Sequence, residues 1–120
     1  MESTAGKIFY DKQIAALESH DLDALAMQYA SDAVLIGFDF TIRGRDAIRQ
    51  HMTAYLAHLG TLKLKSTDKF TETADSIFFE ATVVTSLGEA KVYDVFILRN
   101  NQATHHFTGV ISVSPLTASV

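Results

Sequence analysis

A chain of 120 residues with 48% hydrophobic and 20% charged side chains is one domain of ordinary globular composition, large enough to bury a core without staples. Its formal charge of −4 comes with no basic stripe, which argues against nucleic acid or an anionic membrane surface as a partner. The lack of cysteine excludes a disulfide framework, a thiolate nucleophile and Cys-based zinc, while short apolar runs and a start without a signal-peptide core make a cytoplasmic location the expectation.

Residues 5–20 are expected to be helical. Tyr10, Ile14 and Leu17 recur at i, i+4 and i+7, flanked by Phe9, Gln13 and Ala16. Asp21 suits the N-cap of a short second helix carrying Leu22, Leu25, Ala26 and Tyr29. The period then changes: Val34, Ile36, Phe38, Phe40 and Ile42 alternate with Leu35, Gly37, Asp39, Thr41 and Arg43, as in one strand or two short ones. A helix restarts after Gly44, with Asp46 in its first turn and Ile48, Met52, Tyr55 and Leu59 as its inward stripe, and Gly60 stops it.

From Thr61 onward the chain reads as strand. The lysines of residues 61–73 suit a sheet edge, and the nearly continuous apolar run 77–85 implies cover on both faces. Leu87-Gly88-Glu89 turns into a final long hairpin, Pro115 ends the order, and about 1–4 and 115–120 are expected to be loose. The fold class is α+β, with helices on one face of a strongly bent antiparallel sheet. The other face carries Val83 or Val84, Val95 and Ile97, which makes a homodimer through that outer face the expectation.

The last hairpin holds the chemistry. On its first arm Ala90, Val92, Phe96 and Leu98 form an apolar row with Asp94 in the middle. The returning arm carries His105 and His106, of which only one shares the face of Asp94. A two-residue loop of Asn100-Asn101 sets Asp94 opposite Phe107; a three-residue loop beginning at Arg99 sets it opposite His106. Asparagine tolerates positive φ, so both loops remain open. A slip of one residue exchanges every partner.

The runs Ala16 to Leu25 (ALESHDLDAL), Tyr29 to Val34 (YASDAV) and Gly44 to Ile48 (GRDAI), with Asp94-Val95-Phe96 and His106-Phe107 in the closing hairpin, resemble the NTF2-like superfamily. The branch they resemble is that of the SnoaL-like polyketide cyclases and ketosteroid isomerase relatives, and the likeness covers nearly the whole chain. It implies a single cone-shaped, cystatin-like domain over 1–120, three N-terminal helices against the curved sheet, and a cavity for a small hydrophobic, ring-containing molecule. Asp94 falls where ketosteroid isomerases keep a protonated aspartic acid that donates to the oxyanion. His106 falls where many SnoaL-like sequences carry a pocket-lining histidine. Two positions depart: the isomerase's oxyanion tyrosine corresponds to Gln13, with Tyr10 one turn away, and its general-base aspartate to Gly37, with Asp39 two residues on.

Asp94 is therefore a candidate pocket acid or base, against the alternative of a structural aspartate bonded to a neighbouring element. His106 beside it would have its tautomer fixed by the carboxylate; otherwise it is a surface histidine like its neighbour. Asp39 is either a second carboxylate for acid–base work or a turn aspartate between Phe38 and Phe40. Met52, Tyr55, Phe38, Phe79 and Phe96 either line the cavity or are plain core, and Tyr55, whose hydroxyl needs a partner, is the best ligand contact among them, with Gln13. His51 reaches the rim, His20 and His58 read as exposed, and Arg43, Arg45 and Arg49 read as a solvated face. No histidine and carboxylate set has metal spacing, so neither metal nor cofactor is expected. The expected function is cofactor-free isomerisation, cyclisation or dehydration of a hydrophobic ring compound. The alternatives are a non-catalytic ligand-binding or dimerisation module, and an epoxide hydrolase holding water between carboxylates and an arginine.

Overall fold

In the computed structural model, residues 4–115 are described. Helix α1 (Ala5–Ser19) begins on Thr4, whose hydroxyl accepts the Lys7 amide at 3.1 Å, and ends at His20 in the left-handed conformation (φ 55°). Its buried residues are Gly6, Phe9, Tyr10, Gln13 and Ala16, so the core-facing stripe is the expected flank rather than Ile14 and Leu17. Those two are half-buried because they look into a cavity. Helix α2 (Leu22–Met27) is capped by Asp21, which accepts the Ala24 amide at 3.0 Å.

Tyr29 does not belong to α2 as its spacing suggested. It opens strand β1 (Tyr29–Ile36), because the backbone beside it is captured by the last strand, Ala103 donating to the Gln28 carbonyl at 2.7 Å. A turn at Gly37–Phe40 leads to β2 (Thr41–Arg43), so the alternating segment is two strands. Helix α3 (Arg45–Leu59) starts after Gly44 (φ 92°) and buries Ile48, Met52 and Leu56, with Tyr55 39% exposed at a cavity mouth. Of the three helices among the described residues, α1 and α3 have 15 residues and α2 only 6, and α3 follows the first two strands rather than belonging to an N-terminal group.

Strands β3 (Leu62–Glu72), β4 (Ser76–Thr85), β5 (Gly88–Arg99) and β6 (Gln102–Pro115) form an antiparallel meander in a six-stranded sheet of order β2-β1-β6-β5-β4-β3. The lysine-bearing β3 lies at an edge, as its composition suggested. Strand β1 runs parallel to β6, so the sheet is mixed rather than wholly antiparallel. In β4 the residues Ile77, Phe79, Ala81 and Val83 face the helices, while Phe78 and Val84 face outward uncovered by any described part of the chain. The continuous apolar run therefore has one covered face, not two. Val84, not Val83, is the outward valine.

Pro115 ends β6, paired with Gly88, and Thr4 caps α1, so both are ordered parts of the fold; the remaining terminal positions expected to be loose, 1–3 and 116–120, lie outside the described residues.

The closing hairpin settles the register in a way neither loop count anticipated. Asn100 and Asn101 are both left-handed (φ 53° and 64°), which makes the two-residue turn with Arg99 opposite Gln102. Leu98 then pairs with Ala103, but Ile97 pairs with His105, so Thr104 is an extra residue on β6. This bulge moves the following residues of β6 across the sheet by one position. Asp94 consequently lies opposite Thr108, and Phe96 opposite His106. His106 joins the inner face, and His105 turns outward.

Candidate functional site

The inner face of β5 and β6 forms the floor. Asp94 and His106 are diagonal neighbours across the ladder, close enough for His106 Nε2 and Asp94 Oδ1 to lie 2.7 Å apart. Both are buried, the histidine at 4% exposure and the aspartate at 9%. The imidazole lies flat on Phe96, ring centroids 3.8 Å apart and planes 22° apart, which fixes its tilt. Its second nitrogen, Nδ1, is 2.8 Å from the Tyr29 hydroxyl at the start of β1. Behind Tyr29, Gln13 Nε2 donates to the phenol oxygen at 3.3 Å; Gln28 Nε2 reaches Gln13 Oε1 at 3.4 Å and the Phe9 carbonyl at 2.9 Å.

Above this floor opens a cavity of about 330 Å³. Helix α1 walls it with Gln13, Ile14 and Leu17, and α3 with His51, Met52 and Tyr55. The β1–β2 turn adds Phe38, Asp39 and Phe40; Phe79, Val92 and Phe96 come from the sheet. The lining is mostly apolar, with Asp94, His106 and Thr108 gathered at one place on it, the usual composition of a small-molecule site.

Of the residues singled out from sequence, Asp94, His106, Asp39, Tyr55, Gln13, Met52, Phe38, Phe79 and Phe96 all border this cavity. Tyr10 does not: it is packed edge-on against Phe70 and Phe79, and its hydroxyl pairs with Thr67. Phe38 and Asp39 sit on an exposed bend at the mouth, Phe38 77% exposed, so Asp39 is far less desolvated than Asp94. Gln13 borders the space but its amide is committed to Tyr29 and Gln28. Tyr29 and Gln28 went unnoticed in the sequence. The spacing of Tyr29 fits a helix stripe, and only the parallel pairing of β1 with β6 brings it to His106.

Burial sets the protonation of the surrounding groups. It pushes the Tyr29 phenol well above the usual tyrosine range, against the hydrogen bond from Gln13. Tyr55 is raised by burial, with the Asp94 charge adding to the effect, so its hydroxyl remains a donor at neutral pH. Burial lowers His51 below the ordinary histidine value, and a charge on His106 would lower it further. Among the described residues no group of three potential metal ligands gathers, and no helix is long and apolar enough to cross a membrane.

A curved mixed sheet packed against helices, with an acid and a histidine on its inner floor, has the architecture of the NTF2-like fold. The profile of the SnoaL-like domain matches residues 10–109, and the chain belongs to that family. A SnoaL-like protein of unknown function from Burkholderia thailandensis superposes with a TM-score of 0.78 at 16% identity, covering 93% of this chain and 99% of its own. A candidate polyketide cyclase from Sinorhizobium meliloti gives 0.75 at 17% identity, over 85% and 94% of the two chains. A protein with a ketosteroid isomerase-like fold from Catenulispora acidiphila, crystallised with trimethylamine, gives 0.76 at 15%, over 87% and 85%. At such identities the likeness is one of fold. Among curated proteins none matches the chain.

Proposed function

We propose that the cavity binds a small hydrophobic molecule containing a ring and a carbonyl, and that Asp94 and His106 move a proton on it without a cofactor. The observation that carries this reading is the 2.7 Å contact between Asp94 and His106 on the floor of an otherwise apolar cavity. In the reaction class envisaged, Asp94 takes a proton from the carbon beside the carbonyl. The negative charge moves to the carbonyl oxygen, where the Tyr55 hydroxyl donates to it, and the same proton returns to another carbon or assists loss of a hydroxyl. Isomerisation, ring closure and dehydration all share that enol-like state. Thr108, opposite Asp94 on the ladder, offers a further hydroxyl to the substrate.

The rival is a ligand-binding or dimerising module with the same cavity and no turnover. The epoxide hydrolase reading has less support, since among the described residues no arginine lines the cavity beside Asp94 and Asp39. The outer sheet face, where Phe78, Val95 and Phe107 align across β4, β5 and β6, supports a homodimer through that face.

The chemical reading is tested by following deuterium uptake from D2O into a panel of ring ketones by NMR. Catalysed exchange at carbons next to the carbonyl is expected, and Asp94→Asn should lower it by about 10²–10⁴-fold while the fold persists. Exchange no faster than in buffer, or an unimpaired Asn variant, would leave only the binding module.

A further inference from the structure

The hydrogen-bond chain behind the floor has a direction, and its direction fixes a charge. It starts at the Phe9 carbonyl, which can only accept, so the Gln28 amide nitrogen must face it at 2.9 Å. The same nitrogen faces Gln13, whose near atom must then be its oxygen, at 3.4 Å. That turns Gln13 Nε2 toward Tyr29, where it donates to the phenol oxygen at 3.3 Å. Tyr29 is fully buried, and among the described residues the only other partner within reach of its hydroxyl is His106 Nδ1, at 2.8 Å. If His106 were doubly protonated, Nδ1–H would become a second donor to that oxygen. The phenol proton would then have no acceptor in a dry interior, a state that native structures avoid. The phenol therefore donates, Nδ1 accepts, and the imidazole proton sits on Nε2, pointing at Asp94.

We infer that the chain from the Phe9 carbonyl through Gln28, Gln13 and Tyr29 holds His106 as the neutral Nε2–H imidazole, leaving the negative charge of Asp94 uncompensated, so that the cavity takes neutral or protonated-amine ring compounds and excludes carboxylates. This deepens the function proposed above and rests on both its ring-binding cavity and its assignment of Asp94 as the base, which acts as the carboxylate. Tyr29, Gln13 and Gln28 are positioning residues in it; they act through His106. The other ionisable groups on the lining do not oppose the assignment. Asp39 at the mouth adds negative charge; Tyr55 is a neutral phenol; burial biases His51 toward its neutral form; and among the described residues no lysine or arginine lines the space. Aromatic faces from Phe38, Phe40, Tyr55 and Phe79 suit a cation as well as an uncharged ring. An anion meets a carboxylate on the floor and another at the mouth, with nothing to pair it.

Two measurements on the intact protein test this. Nitrogen-15 NMR of the imidazole side chains at pH 7 should show His106 with a bare Nδ1 and a protonated Nε2. In Tyr29→Phe, with the remaining amide spectrum preserved, Asp94 still holds the Nε2 proton but nothing bars a proton from Nδ1, so on acidification the doubly protonated ring should form in the variant before it does in the unsubstituted protein. A doubly protonated or Nδ1–H His106 in the unsubstituted protein overturns the assignment whether or not the variant folds. The second measurement titrates benzylamine, benzyl alcohol and benzoate. Benzoate should bind at least about tenfold more weakly than the alcohol, the amine at least as well as the alcohol, and Asp94→Asn should collapse the difference. Benzoate binding as tightly as the alcohol refutes the charge assignment and leaves the ring-binding cavity intact. Failure of all three probes to bind removes the cavity reading itself, and the ligand selection with it.

Discussion

Replacing Tyr29 by phenylalanine separates the energetic role of its hydroxyl from that of its ring. The ring is fully buried and packs near Phe96 and His106, so the substitution keeps the shape and removes one oxygen. At pH 7 two buried partners lose their bond, His106 Nδ1 and Gln13 Nε2, and a loss of about 2–3 kcal/mol is expected from leaving buried polar groups unsatisfied. The difference should then shrink in alkali. A tyrosine whose folded value is raised contributes stability that is present below the unfolded value, about 10, and lost as pH climbs through the folded value. Above pH about 10 the unfolded chain alone ionises at this position, so the unsubstituted protein loses about 1.4 kcal/mol per pH unit that the variant does not. By about pH 11.5 roughly 2 kcal/mol of its advantage should be gone and the two proteins should be nearly equal. Guanidinium chloride titrations of both proteins at pH 7, 10 and 11.5 measure it. A difference that stays constant across that range refutes the claim that the phenol is sealed from solvent.

Two further outcomes follow from described geometry. His51 is lowered mainly by burial, so stability tied to it is present above the unfolded value near 6.5 and falls with pH toward the folded one; His51→Gln should flatten the decline seen in urea midpoints between about pH 6.5 and 5, and an unchanged slope would show no such burial. Phe107→Asp puts a charge in the outward row with Phe78 and Val95, and sedimentation should shift from dimer to monomer with the fold unchanged, whereas an unsubstituted protein that is already monomeric disposes of the proposed outer-face dimer.

The elements were largely legible because their signals are local. The cap at Asp21, the start at Gly44, the stop at Gly60 and the lysines of β3 each act within a few residues, and each lies where its chemistry implies. Asp94 in its apolar row was legible for the same reason: alternation on a strand is a property of the strand alone. What could not be read was long-range. The inner position of His106 depends on Thr104 being squeezed out of the ladder, and the turn residues Asn100 and Asn101 carry no trace of that. Counting from the correct turn would have turned His105 inward. The stripe on α1 was misplaced because Ile14 and Leu17 face an empty space, which apolar periodicity cannot tell from packed core. Tyr29 was lost to a helix because a strand pairing with residues more than seventy positions away decides its place.

The parallel seam between β1 and β6 also bears on the order of assembly. The first two strands hydrogen-bond to each other, β1 alone pairs with β6, and in the sheet order nothing else ties them to the meander. A nascent chain leaving the ribosome can close α1, α2 and the early hairpins while still short, but β1 has no seam until residues 102–115 have emerged. The two ends of the Tyr29–His106 contact are made far apart in time, so until β6 has been synthesised the protein holds its acid, its imidazole and its phenol on pieces that have not met.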